Sequence, residues 1–203
     1  MRTLKTLYIF VVFVFFSMPL SANPVPGKPA PKFTSITTSG ETISLAALKG
    51  ETIVLEWTNH ECPYVRKHYS SGNMQRTQRT LTEEGVIWVS IISSAPELQG
   101  YVSAEEANTL SASRGSYTTY TILDSDGSIG RLYGAKTTPQ MFLINKSGNI
   151  DYMGAIDDRP SSRAESLVGA TNYLLKAWEE LRLGQGVTLK STKPYGCSVK
   201  YAE

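Results

Sequence analysis

Two near-continuous apolar runs, Ile53-Val54-Leu55-Glu56-Trp57 and Val86-Ile87-Trp88-Val89-Ser90-Ile91-Ile92, each interrupted by one polar residue, bracket a polar-apolar segment that begins at Cys62-Pro63. Strands that are apolar along their whole length have both faces covered, and a strand, helix, strand succession of this kind is the pattern of a parallel βαβ unit. The chemistry of such sheets gathers at the carboxyl ends of the strands. Cys62 lies just past the carboxyl end of the first run, at the turn into the helix. There its sulfur faces free backbone N–H groups and the positive end of a helix, which favours thiolate over thiol. Pro63 falls at the first helical position, where a missing N–H is harmless. The helix is expected from Pro63 to about Glu84, with a break near Ser70-Ser71-Gly72 and a stop at Gly85.

The rest of the chain supplies the other layers. Phe33–Ile36 and Thr42–Leu45 read as two short strands around a glycine turn, and Ser103 with Glu106 as a capping box opening a helix to Arg114. Thr121-Ile122-Leu123 is a third core strand. Asp124-Ser125-Asp126-Gly127 resembles the opening of a calcium loop but lacks the later ligands and the terminal glutamate, so it reads as a turn. Gln140–Ile144 and Ile150–Gly154 form a hairpin around Asn145-Lys146-Ser147, which also fits a glycosylation acceptor. Pro160–Leu183 is expected to carry an amphipathic helix with Leu167, Ala170, Leu174, Ala177, Trp178 and Leu181 on one face.

At 203 residues and 41% hydrophobic composition the chain suits one folded domain. Arg2 and Lys5 precede the apolar run Leu7–Phe16 and the small residues ending at Ala22, the layout of a secretory signal; the run is short for an uncleaved spanning anchor. The segments are therefore a signal peptide at 1–22, a proline-rich leader at 23–32, extended and outside the core, a domain at 33–183, and a tail at 184–203. Export, to a periplasm or the exterior, implies an oxidising compartment, in which Cys62 and Cys197 can pair. Without Arg2 and Lys5 the basic and acidic residues balance at 18 each, which gives no electrostatic reason to expect nucleic acid or a membrane surface as partner, and no stable membrane anchor follows cleavage.

The order of strand, cysteine at a helix start, βαβ, Thr138-Pro139 before a strand, hairpin and final helix resembles the thioredoxin superfamily. More closely it resembles the exported redoxin branch, related to the peroxiredoxin (AhpC/TSA) family and to TlpA-like oxidoreductases. The resemblance implies an α/β thioredoxin-like fold, with a central mixed sheet flanked by helices and an N-terminal β-hairpin extension. It aligns Cys62 with the nucleophilic cysteine, Glu56 with a buried acid that shuttles protons, and Pro139 with a cis-proline facing the sulfur. Thr138 is then the residue whose backbone pairs with a bound thiol substrate. Val65 replaces the second cysteine of the usual motif, and Leu55 and Asn59 replace the proline and threonine of the peroxiredoxin pattern Pro-x-x-x-Thr-x-x-Cys.

The missing sulfur transfers attention to Cys197. In one reading Cys197 resolves a mixed disulfide formed by Cys62, on a flexible tail; in another, a static Cys62–Cys197 disulfide pins the tail. With 134 residues between the cysteines, the second would stabilise by about 4 to 5 kcal/mol in the chain-entropy account. His60 is a candidate proton donor or activator of Cys62. His68 reads as structural, and Arg66 and Lys67 as exposed cations. A soft-metal site needs more ligands than Cys62 and His60 supply, so neither metal nor cofactor is expected. The expected function is a thiol-disulfide oxidoreductase acting on protein or small-molecule thiols and disulfides. The alternatives are a peroxiredoxin-like thiol peroxidase consuming peroxide, and a non-catalytic binding module with a structural disulfide.

Overall fold

The computed structural model describes residues 23–203, so the expected signal peptide lies outside the described residues. In chain order it contains β1 (Thr34–Ile36), β2 (Thr42–Ser44), β3 (Ile53–Trp57), α1 (Pro63–Ser70), α2 (Asn73–Glu83), β4 (Ile87–Ile92), α3 (Ala104–Ser113), β5 (Tyr120–Leu123) and α4 (Ser128–Leu132). These are followed by β6 (Thr137–Thr138), β7 (Gln140–Ile144), β8 (Ile150–Gly154), α5 (Tyr173–Arg182) and β9 (Cys197–Ser198).

The main sheet has the order β5-β4-β3-β7-β8. Its middle strand, β3, is buried at all five positions. It runs parallel to β4, with Glu56 opposite Ser90, and antiparallel to β7, with Leu55 opposite Phe142. The alternation of side chains along a strand then sorts the sequence into two cores. Ile53, Leu55 and Trp57 pack with Ile91, Ile122, Tyr133 and Phe142 on one face. Val54 packs on the other with Met74, Leu81, Trp88, Met141, Leu143, Leu174 and Trp178. Glu56 shares this second face, so a carboxyl group is inserted among apolar side chains. The expected mixed sheet flanked by helices is what forms, and β1 and β2 make the expected two-stranded hairpin.

Local signals act where they were expected. The long helix divides into α1 and α2 at Gly72, which takes φ 70, a backbone state that costs glycine little. Ser103 and Glu106 complete the capping box of α3. The helix expected over Pro160–Leu183 is shorter, however. Only Tyr173–Arg182 is α-helical, after a 3-10 turn at Ala164–Leu167. Gly169 turns the chain with φ 68, and Asn172 caps the helix by accepting a 2.9 Å hydrogen bond from Leu175 N–H, which sets the start there.

The two ends also differ from expectation. The leader is not outside the core: Ala30 is buried. Its non-proline amides bind the β7–β8 turn, Gly27 N–H to the Ile150 carbonyl (2.6 Å) and Ala30 N–H to that of Gly148 (2.9 Å). Pro29 stands between these donors, with Pro26 and Pro31 on either side, so the segment loses neither hydrogen bond to its prolines. The tail is not loose. It runs beside β8, where Thr192 N–H donates to the Met153 carbonyl (3.1 Å), then crosses the end of the sheet. There β9 pairs antiparallel with β6, and Ala95 N–H donates to the Lys200 carbonyl (2.8 Å).

Candidate active site

Cys62 is the N-cap of α1, with φ −67 and ψ 122, and Pro63 opens the first turn. Asn59 shapes the approach: its Oδ1 accepts from Glu61 N–H (2.9 Å), its Nδ2 donates to the Gln99 carbonyl (3.1 Å), and its own carbonyl accepts from Cys62 N–H (3.1 Å). The Cys62 side chain is wholly buried, and its thiol donates to the Thr138 carbonyl at 3.1 Å. The Thr138–Pro139 peptide is cis. Gln140 braces this loop by accepting from Lys136 N–H at 3.0 Å.

Cys197 arrives from the other side. In the β6–β9 register it lies directly opposite Thr138, whose carbonyl already binds Cys62. Gly196 makes the approach possible: at φ 138, a Cβ added there would come within 2.0 Å of the Thr138 oxygen. Both cysteines are free thiols. Burial pushes the Cys62 thiol up, but the neighbouring Cys197 and Thr138 side chains and the backbone N–H groups of Val65 and Cys197 outweigh it, so Cys62 sits below the ordinary thiol range. The Thr138 hydroxyl is buried with no hydrogen-bond partner among the described residues and can turn to the sulfur. Cys197 is pushed up to about 11, first by burial and then by the hydrogen bond and charge of Cys62. The two sulfurs are thus unequal, Cys62 being the more readily ionised.

The other expected site residues stand apart from the sulfurs. Glu56 is wholly buried and accepts from Trp88 Nε1 (2.9 Å), Tyr69 Oη (3.2 Å), Gln78 Nε2 (3.2 Å) and Ser90 Oγ (3.3 Å). Burial raises its pKa, against the pull of Trp88 and its other donors. His60 is held below the usual imidazole range by burial and then by Arg114. Among the described residues, no hydrogen bond joins Glu56 or His60 to either sulfur, and no three His, Cys, Asp or Glu side chains converge as a metal-ligand set.

A polar cluster that the sequence did not reveal anchors the tail two residues before Cys197. Lys67, expected to be exposed, is 2% exposed, and its Nζ donates to the Arg159 carbonyl (2.9 Å) and to Tyr195 Oη (3.1 Å). His68 Nε2 meets the same hydroxyl at 3.3 Å, and its Nδ1 accepts from Asn73 Nδ2 at 2.8 Å. Tyr195 in turn donates to Asp157 Oδ1. Burial and the neighbouring Lys67 charge hold His68 down at about 3, so it is a neutral imidazole whose Nε2–H points at the phenol oxygen. Every lone pair and proton of the Tyr195 hydroxyl is thereby used. The Tyr195 ring also meets Tyr64 at 5.8 Å.

These features can be set beside known proteins. Among curated proteins no sequence matches the chain. Solved structures do: an uncharacterised conserved protein from Geobacillus kaustophilus is 25% identical, with 88% of this chain and 93% of that one covered and a TM-score of 0.73. A hypothetical protein from Sinorhizobium meliloti 1021 is 20% identical over 89% of this chain and 97% of its own, with a TM-score of 0.71. A putative thiol:disulfide interchange protein DsbE from Chlorobium tepidum is 22% identical over 64% and 85%, with a TM-score of 0.52, a likeness of fold. The sequence pattern of the AhpC/TSA family matches residues 26–153, which include β1 to β7, the Cys62 turn, the cis-proline and most of β8. With more than half of its length inside that match and the thioredoxin-like sheet built around it, the chain belongs to the AhpC/TSA family.

Proposed function

We propose that this protein is an exported thiol-disulfide oxidoreductase in which Cys62 is the nucleophile and Cys197 the resolving cysteine. The observation that carries the reading is the delivery of Cys197 by β9 to Thr138, whose carbonyl binds the Cys62 thiol at 3.1 Å. The Cys62 thiolate attacks one sulfur of a substrate disulfide, forming a mixed disulfide and expelling the first substrate thiolate. That step consumes the negative charge of Cys62. The charge of Cys62, one of the causes that raise Cys197, then vanishes, so the second thiol becomes easier to ionise once it is needed. Cys197 then attacks the Cys62 sulfur. Its proton ends on the departing substrate thiolate, the substrate is reduced by two electrons, and the protein holds a Cys62–Cys197 disulfide that an external dithiol reduces. Thr138, expected to pair its backbone with a substrate thiol, instead pairs with Cys197 of β9 and binds the Cys62 thiol, so a substrate reaches the sulfur beside Thr138 and Pro139 only as β9 gives way. No hydrogen-bonded route assigns a proton to Glu56 or His60 in this cycle.

The tail contacts favour this reading over a structural staple. Thr192, Tyr195, Val199 and Lys200 hold the tail through hydrogen bonds on both sides of Cys197, so its position does not depend on a covalent bridge. The peroxidase alternative lacks its hydroxyl. Asn59, at the threonine position, spends its side chain on Glu61 and Gln99. Export rests on the sequence of residues 1–22 and on a cysteine pair suited to an oxidising compartment.

The test is to incubate the reduced protein with glutathione disulfide and follow adducts by intact mass. Cys197→Ser is expected to accumulate a stable mixed disulfide on Cys62, the parent protein to pass to an internal disulfide, and Cys62→Ser to give neither. An adduct that sits on Cys197 in the parent protein overturns the assignment.

A further inference from the structure

Beside the Cys62 turn, between α3 and the β4–β5 side of the sheet, lies a cleft that thiol exchange does not use. Its inner end is a cavity of about 40 Å³ whose lining includes Thr58, His60, Tyr69, Ser90 and Arg114. It adjoins a wider recess of about 380 Å³ that shares His60, Tyr69 and Arg114 and adds Gln75.

The polar groups here are without partners. Thr58 Oγ1, His60 Nδ1 and Gln75 Oε1 are buried atoms with no hydrogen bond among the described residues. Thr58 is only 8% exposed. Gln75 Nε2 donates to the Tyr69 carbonyl (2.9 Å) and the Arg114 carbonyl (2.8 Å), so its Oε1 is an acceptor fixed in place without a donor. Buried polar atoms are normally satisfied, and three unsatisfied ones along one cleft mark a place where a ligand recovers the lost hydrogen bonds.

The cation of this cleft also lacks a direct partner. The half-buried Arg114 guanidinium lies 5.1 Å from the centre of the Tyr69 ring, and among the described residues it has neither an ion pair nor a side-chain hydrogen bond. The acids near it are occupied. Glu61 accepts from Gly100 N–H at 2.7 Å, Glu106 from Ser103 N–H at 2.7 Å, and Glu56 beneath the floor accepts from its four donors. An unpaired cation beside a hydroxyl and an imidazole suits an anion, while the lone acceptor of Gln75 suits a donor on the same molecule. The small inner volume admits a flat, two-oxygen head more readily than a tetrahedral one.

We propose that this cleft binds a small carboxylate bearing a hydrogen-bond donor on its α-carbon, the carboxylate held by Arg114, Thr58 and His60 and the donor by Gln75 Oε1. The α-donor is an amine or a hydroxyl, a choice the chemistry of Gln75 leaves to experiment. The site is independent of the thiol reading, because none of its groups bonds to either sulfur.

Isothermal titration calorimetry of the reduced protein with L-alanine, L-lactate, acetate and inorganic phosphate in separate runs tests it. Saturable one-to-one binding is expected for L-alanine or L-lactate, and which of the two binds tells an α-amine from an α-hydroxyl. Acetate, lacking the donor, is expected to bind about tenfold more weakly. Arg114→Gln and Thr58→Val are each expected to lose about tenfold in affinity with an unchanged thermal midpoint, and Cys62→Ser to lose none. Two variants guard against one failing to fold. The proposal is overturned if neither α-substituted acid binds, if acetate or phosphate binds as tightly, or if neither variant weakens binding.

Discussion

Replacing Tyr195 by phenylalanine removes one oxygen from the centre of the cluster that anchors the tail. Three buried groups lose a partner at once: the Lys67 ammonium (3.1 Å), the His68 Nε2–H (3.3 Å) and the Asp157 carboxylate. Lys67 keeps only the Arg159 carbonyl at hydrogen-bond distance, with Asp157 Oδ2 farther away at 3.9 Å. A hydrogen bond to a charged group contributes about 1.5 to 3 kcal/mol, and two of the three partners are charged. The ring contacts survive, so no cavity cost adds to this. Because the charges remain buried when their partner goes, the expected loss is about 3 kcal/mol. For a chain of this size that corresponds to a fall in Tm of about 6 to 12 °C. Urea unfolding, followed by the fluorescence of Trp57, Trp88 and Trp178, measures it. The tail then docks less firmly two residues before Cys197, so disulfide closure after oxidation should slow in the same variant. A loss below about 0.5 kcal/mol together with an unchanged closure rate would refute the claim that this cluster positions Cys197.

Three other outcomes follow from the buried titratable groups. His68 is depressed in the folded state to about 3 from an ordinary 6.5, so its contribution to stability is intact above pH 6.5 and lost as pH falls toward 3; His68→Gln should flatten that limb of a urea-stability profile, and an unaltered limb excludes the assignment. Glu56 is raised above its ordinary 4.5, so the sign reverses: stability is fully present below 4.5 and falls as pH rises through the folded value, and Glu56→Gln should remove this decline, a profile parallel to the parent's counting against it. Cys197→Ala takes away the neighbouring thiol that helps hold Cys62 below the ordinary thiol range, so the pH midpoint of Cys62 alkylation by iodoacetamide should move up; a midpoint that stays or falls shows that Cys197 does not stabilise the thiolate.

What the sequence disclosed was local or periodic. The continuous apolar strands around Cys62, the Ser103–Glu106 box, the hairpin turn and the Gly72 break each depend on a few neighbouring residues, and each occurs where those residues direct it. The helix over 160–183 was overextended because Leu167 and Ala170 keep helical spacing, whereas Gly169 and Asn172 decide the backbone. The tail cluster was illegible for a different reason. Lys67, Asp157 and Tyr195 are single polar residues on three distant segments, and no period or spacing marks residues that meet only through the tertiary fold. Val65, in contrast, was informative by lacking sulfur: it directed attention to Cys197, and β9 brings Cys197 to the Thr138 carbonyl.

The most direct test of the central claim is an equilibrium redox titration of the protein against a dithiothreitol and glutathione buffer series, with thiol trapping and peptide mass analysis. The expected result is a single two-electron couple that joins Cys62 to Cys197, at a potential less negative than about −300 mV, the range of exchange-active disulfides. A Cys62–Cys197 bridge more negative than that is a staple, and the absence of any such bridge leaves Cys197 without a role in the chemistry; either result contradicts the account.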